Sequence, residues 1–419
     1  MISTIRRGTL ALALIVGWAS VGGGQPGGAV LTIEQVVARF LERNVAVEAA
    51  RHRIEVARAE QIGARLHPNP TLTLTAENLP FAGPTPASQL YEVGGTISQP
   101  IERTDKRRHR REVADAAVAV AEAEFAEALG QRLRDVKRAF YETVAARQSV
   151  AHATDTRRAF QQLVDITDAR FREGAVAEAE VVKVRLERAR LDAAVSQAHV
   201  AVRQAGVKLL ELLGETEFST AGAVSDRAAG PDPVVPDVGL LKREALGQRP
   251  GVRAAEHALT LAERRVALER ARNTGDVAPF IGVKRVASDS TVLFGIAIPL
   301  PLTDRNEGGI ARAVAEERVA RAELVLRRNA ILAEVESAYR GWLSARERTA
   351  AFERELLSPA EESRVIAARA YEEGAIDLLG YLEALRTHAD VRRQYLQSAV
   401  DAQVALSQLE HAVGRELKR

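Results

Sequence analysis

The side chains that could do chemistry in this chain are scattered. Its eight histidines stand at 52, 67, 109, 152, 199, 257, 388 and 411. None falls into an HExxH pattern or a zinc-finger spacing, the arrangements that bring ligands onto one metal. His388 with Asp390 comes nearest to a ligand pair, and a place on a helix surface is the simpler account of both. No GxSxG elbow occurs, and no glycine-rich loop follows a strand where it could cradle a phosphate. Cysteine is absent and the single methionine is Met1, so a relay of soft ligands for copper(I) has nothing to use. The chain is read as non-enzymatic, with no cofactor, no resident metal and no disulfide.

The charges point away from nucleic acid. Lys plus Arg number 58 against 56 Asp plus Glu, a net charge of +2. Arg6 and Arg7 precede an apolar run at 10–16 and small residues through Ala29, the layout of a secretory signal peptide over residues 1–29. That run is too short to span a bilayer, and no other stretch approaches the roughly 20 apolar residues of a membrane helix. With residues 1–28 removed the charges balance, and a neutral chain lacks the basic surface that nucleic acid demands. The cluster Arg103, Lys106, Arg107, Arg108, His109, Arg110, Arg111 is read instead as a helix start facing solvent or lipid headgroups.

The elements that must position these residues come in two sets. Residues 171–214 return 200 positions later as 371–414, opening FREGAVAEAEVV and YEEGAIDLLGYL. Each glycine at the head of this repeat closes a long helical pattern, at 104–172 and 303–372, which together hold one proline, Pro359. At 1.5 Å per residue such helices of about 68 residues reach on the order of 100 Å, farther than a compact domain needs. Gly174 and Gly374 then supply left-handed turns, and helices at 177–213 and 377–413 return beside the first pair. The returning helices carry heptad rows, Leu191, Ala198, Ala205 and Leu212 in one and Leu385, Ala399, Leu406 and Val413 in the other. An ordinary antiparallel coiled-coil hairpin would show the same seams.

Between the helices the period changes to two. Residues 31–66 read as helix with a break near Asn44, and Thr32 with Gln35 makes a capping box at its start. Segments near 70–80 and 89–100 alternate polar and apolar residues around a loop containing Pro and Gly, and so pair as a hairpin. A linker at 215–236 leads to a second set of the same order, in which strands near 279–286 and 291–300 are joined by a short turn. In the last strand Val292, Phe294, Ile296, Ile298 and Leu300 share one face, while Gly295 and Ala297 lie on the other. One face suits lipid and the other a confined lumen. The division expected is therefore residues 1–29, 30–214, 215–236 and 237–419.

Four such strands have the length to cross a bilayer at a tilt, yet four strands cannot close, and hydrocarbon does not tolerate an open sheet edge. If the hairpins lie in a membrane, several chains must share one barrel. The alternative is a soluble periplasmic coiled-coil scaffold with a small sheet at one end and no pore.

The two tips and the stretch HPNPTLTLTAEN at 67–78 carry a resemblance that extends over essentially the whole mature chain. It resembles the outer-membrane efflux protein family, the TolC-like channels, and within it the branch serving heavy-metal exporters of the cobalt-zinc-cadmium and copper-silver kind. The resemblance implies a mainly α fold with a transmembrane β-barrel contribution: a homotrimer sharing a twelve-stranded barrel in the Gram-negative outer membrane, above an α-helical tunnel through the periplasm. It implies a passive export duct fed by an inner-membrane resistance-nodulation-division (RND) pump through a periplasmic adaptor. It places the adaptor contact at Gly174, Ala175, Gly374 and Ala375, and a periplasmic gate at Glu180, Tyr371 and Glu383. An acidic gate position of the family is Gly380 here, and the acylation cysteine of lipid-anchored relatives is missing, which leaves the barrel as anchor. Three copies of Glu180 and Glu383 would ring the constriction and favour cations.

Overall fold

A computed structural model describes residues 30–79, 81–218, 223–225 and 235–417; the expected signal peptide at 1–29 and much of the expected linker lie outside the described residues. Helix α1 (Ile33–Arg43) opens on Thr32, whose hydroxyl accepts from Gln35 N while the Gln35 side chain accepts from Thr32 N, a complete capping box. Asn44 ends α1 and caps α2 (Val45–Arg65), its Oδ1 accepting from Val47 N at 3.1 Å, so one side chain makes the break. Then come strand β1 (Thr71–Glu77), the short helix α3 (Ala87–Leu90), strand β2 (Glu92–Ser98), helix α4 (Lys106–Arg172) and helix α5 (Glu178–Leu212). The same order follows without the short helix: α6 (Val238–Gln248), α7 (Pro250–Arg272), β3 (Ala278–Val286), β4 (Asp289–Ala297), α8 (Glu307–Ala351), a π-helical segment (Phe352–Leu356), α9 (Leu357–Glu372) and α10 (Leu378–Val413). At 67 residues α4 is on the order of 100 Å long.

Some sequence-based boundaries are corrected. β1 ends at Glu77 because Asn78 turns left-handed, at φ 53°, and residues 87–90 form a helical turn in place of the start of a strand. β4 stops at Ala297, short of the expected 300. The second long helix starts at Glu307 rather than 303, since Asn306 (φ 59°) turns the chain and its side-chain amide donates to Glu269 O at the end of α7. It is also not continuous. Pro359 has no N–H to give and its ring crowds the carbonyl four residues back, and the helix widens into the π turn just before it.

The four strands form one antiparallel sheet in the order β1-β2-β3-β4, so β1 and β4 leave their outer edges unpaired. The pairing aligns Leu72 with Ile97, Ile97 with Ile281, and Ile281 with Phe294 across the sheet. One face is thus Leu72, Leu74, Val93, Ile97, Ile281, Val283, Val292, Phe294 and Ile296, all exposed, Phe294 at 84%. The other face carries Thr73, Thr75, Thr96, Gly94 and Gly295, with Lys284 bridged to Glu92 and Glu77. Gly295 has a reason: the Phe280 ring lies where its side chain would stand.

The helices bury three apolar clusters along the rod. One gathers Phe40, Val136, Phe140, Leu209 and Leu213, and a second gathers Leu241, Ile331, Val335, Trp342 and Leu409. The returning helices turn the rows expected to pack inward: Leu385, Leu406 and Val413 are buried, and Leu191, Ala198, Ala205 and Leu212 are half-buried. Between the two halves lies a buried ionic knot. Arg249, 2% exposed at its side chain, bonds Glu127 at 3.0 Å, Glu334 at 3.1 Å and the carbonyl of His411. Glu127 also accepts from Gly251 N at 2.9 Å and from Arg327 at 2.6 Å. Pairs this enclosed rank as structural because losing one partner strands a buried charge.

His411 borders this knot, and burial, aided by the Arg249 charge, pushes its pKa down from 6.5 to about 4. The folded state therefore disfavours the protonated ring. The stability this contributes is complete above about pH 6.5 and is lost as pH falls toward about 4, on the order of 3 kcal/mol in all. Urea titrations of the detergent-solubilised protein at neutral pH and near pH 4.5 should show a larger acid-induced loss for the wild type than for His411→Gln.

Candidate functional site

The far end of the rod is closed by two matched turns. After α4, Gly174 adopts φ 73°, its N–H meets Phe171 O, and Ala175 N reaches back to Arg170 O at 2.9 Å. After α9, Gly374 adopts φ 75° and Ala375 N reaches Ala370 O at 2.7 Å. Both are Schellman turns, in which the left-handed residue spends unpaired carbonyls of the last helical turn. Gly174, Ala175, Gly374 and Ala375 all stand exposed at this end.

Above the turns the two hairpins meet through Tyr371. Its ring is 1% exposed and stacks on Tyr381 at 5.5 Å, inside a cluster of Phe160, Leu163, Val184, Leu382 and Leu385. Burial raises the Tyr381 pKa above its ordinary value. The Arg170 guanidinium lies 4.9 Å over the Tyr371 ring and donates to the Tyr371 carbonyl at 2.9 Å. The hydroxyls of Thr167 and Tyr371 share a hydrogen bond of 3.3 Å. Arg170 and Thr167 belong to α4 and Tyr371 to α9, so these contacts latch one hairpin to the other.

The residues expected at a gate are distributed unevenly. Tyr371 is interior, Glu180 is half-buried on α5 and Glu383 is exposed on α10. Neither carboxylate makes an ion pair or side-chain hydrogen bond among the described residues. The structure does not join either acid to Tyr371. At Gly380 the backbone N–H is capped by Asp377 at 2.9 Å, which gives the glycine position a local role as part of the start of α10. Sequence reasoning missed Arg170 and Thr167. A signal was available: the repeat places Ala370 and Ala367 opposite them, so the polar pair is peculiar to the first tip.

Metal chemistry gathers nowhere among the described residues: no group of three or more His, Asp or Glu side chains could hold an ion. His388 pairs with Glu361 at 3.0 Å while Asp390 pairs with Arg393 at 3.2 Å, so the nearest ligand pair in the sequence is split between other partners. Burial lowers the His388 pKa, and the Arg364 hydrogen bond lowers that of Glu361. Among the described residues no helix is long and apolar enough to cross a membrane.

The sheet's exposed apolar face, set on a helical rod on the order of 100 Å long, suits a protein seated in a membrane at one end; β3 and β4, nine residues each, reach the length of a membrane strand, and β1 and β2, seven each, fall short of it. The family model described as Outer membrane efflux protein matches residues 36–215 and 241–415, and the chain belongs to that family. Among curated relatives, the cobalt-zinc-cadmium resistance protein CzcC of Cupriavidus metallidurans is 25% identical over 387 residues, covering 92% of this chain and 90% of its own. The nickel and cobalt resistance protein CnrC of the same organism is 29% identical over 279 residues, 64% of this chain and 63% of its own. Among solved structures, the outer-membrane channel OprN superposes with a TM-score of 0.78 at 20% identity, covering 92% of this chain and 91% of that one. The protein is an outer-membrane efflux channel of the Gram-negative cell, and the soluble-scaffold alternative falls away.

Arg170→Gln removes the carbonyl hydrogen bond and the ring contact, together about 2–3 kcal/mol of local stability. Amide exchange across residues 370–376 should quicken in that variant while exchange near Phe140 stays slow.

Proposed function

We propose that three copies of the chain close their sheets into a twelve-stranded barrel and their helices into a periplasmic tunnel, forming a passive duct for heavy-metal cations. The observation that carries this reading is the apolar face running across all four strands of a sheet whose two edges are unpaired. In hydrocarbon those edge N–H and C=O groups need partners, and identical neighbours can supply them. The names of the relatives CzcC and CnrC, cobalt-zinc-cadmium and nickel-cobalt resistance proteins, support metal cations as cargo. On this reading the path is wide and aqueous, and the ions in it stay weakly held. Driving energy then comes from an inner-membrane RND pump, with a periplasmic adaptor seated on the exposed tips at Gly174, Ala175, Gly374 and Ala375.

The latch at Tyr371 holds the two hairpins together, and on this reading a change in the mouth that separates them would part Arg170 and Thr167 from Tyr371. Glu180 and Glu383, without side-chain partners among the described residues, would present three copies each to the entering cations.

Two measurements test this. Phe294→Arg places a charge on the lipid face at a cost of about 2–4 kcal/mol near the bilayer centre, whereas Thr73→Arg faces the lumen. The first should lose the heat-modifiable trimer, outer-membrane fractionation and metal resistance, becoming as metal-sensitive as a deletion strain; the second should keep the trimer, the fractionation and the resistance. In planar bilayers, Glu180→Gln with Glu383→Gln should lower cation over anion selectivity, and unchanged selectivity would remove the acid ring from the mechanism.

A further inference from the structure

The apolar face does not end with its strands. Gln99 N donates to Pro279 O at 3.1 Å, and Ile101 and Val277 exchange both backbone hydrogen bonds, at 2.7 and 3.2 Å. These pairs continue the register set by Ser98 and Phe280, so Gln99 and Ile101 stand on the same face as Ile97 and Ile281. Beneath them opens a hollow of about 610 Å³, lined by Gln99, Ile101, His67, Arg107, Arg108 and Arg111 among others. It sits where the apolar belt gives way to the helical rod.

Its charges are unevenly matched. Lys106 is bound to Asp276 at 2.7 Å, Arg110 to Glu102, and Arg108 to both Asp105 at 3.2 Å and Glu112 at 3.0 Å. Arg107 meets only the imidazole of His67, and the Arg111 side chain has no protein partner among the described residues. Two guanidiniums one helical turn apart repel each other unless an anion lies between them. The matching helix start is less basic: counted from the left-handed caps Asp105 and Asn306, residues 103–111 hold six Lys or Arg, and residues 304–312 hold two, Arg305 and Arg312.

We propose that this hollow holds the phosphate of an anionic phospholipid from the periplasmic leaflet, with Arg107 and Arg111 on the phosphate and Ile101 against the start of the acyl chains. The proposal rests on reading the apolar face as lipid-facing. Guanidinium forks fit phosphate oxygens, and the belt above supplies what a free anion could not use. Two cations at an anionic surface should favour such a lipid by about 30-fold, and one by about fivefold.

The test is native mass spectrometry of the delipidated full-length protein titrated with phosphatidylglycerol or phosphatidylcholine. Wild type and R158Q/R340Q, which removes two exposed arginines far down the rod, should both prefer phosphatidylglycerol. R107Q/R111Q should lose that preference by about 30-fold, and R111Q alone by about fivefold should the double variant fail to assemble. Equal binding of the two lipids by wild type, or an undiminished preference in R107Q/R111Q and R111Q, overturns the proposal. So does displacement of phosphatidylglycerol by excess inorganic phosphate, which would mark a plain anion site. A protein that shows no lipid preference yet still conducts in planar bilayers would refute this site while leaving the export duct intact.

Discussion

Unpaired backbone at the two edges of a four-stranded sheet is the constraint on which the remainder of this structure depends. The strands expose nearly every apolar side chain on one face, which in water would invite aggregation and in lipid is the stable arrangement. Lipid in turn forbids the bare edges of β1 and β4. The exposed apolar face and the unpaired edges therefore pull in opposite directions, and any place for this sheet in the outer membrane has to satisfy both.

The helical rod meets a different demand, length without drift. Four glycines at φ between 73° and 87°, Gly174, Gly214, Gly374 and Gly414, end its long helices in the left-handed region where other residues are strained. Clusters of apolar contacts hold the helices side by side, and the knot of Glu127, Arg249, Arg327 and Glu334 ties α4 of the first half to α7 and α8 of the second. An ion pair so enclosed adds little net energy but penalises any slip in register, because a displaced partner leaves a charge without water or counter-ion. The π turn ahead of Pro359 is the one place where the second long helix gives up this regularity.

At the tip, the difference between a residue's type and its role is plain. Tyr371 is interior, stacked on Tyr381 and covered by Arg170, whereas Glu180 and Glu383 lie outside that cluster. Its polar partners Thr167 and Arg170 lie about 200 positions away on α4, and no pattern within YEEGAIDLLGYL announces them. The acids remain outside that cluster, without side-chain partners among the described residues.

Much of this was legible in the chain by itself. The capping box at Thr32, the break at Asn44, the two glycine turns and the alternation of the strands are all short-range effects, set by neighbours within a few residues. The apolar face of the sheet was legible too, because a period of two sorts side chains without reference to any partner. Tertiary structure alone decided the rest: the order of the strands, the start of α8 at Glu307 where Asn306 finds Glu269, the buried pairing of Arg249, and the latch of Arg170 and Thr167 on Tyr371. Those depend on groups far apart in sequence meeting at hydrogen-bond distance, and that is fixed by how the helices lie against one another, not by any spacing along the chain.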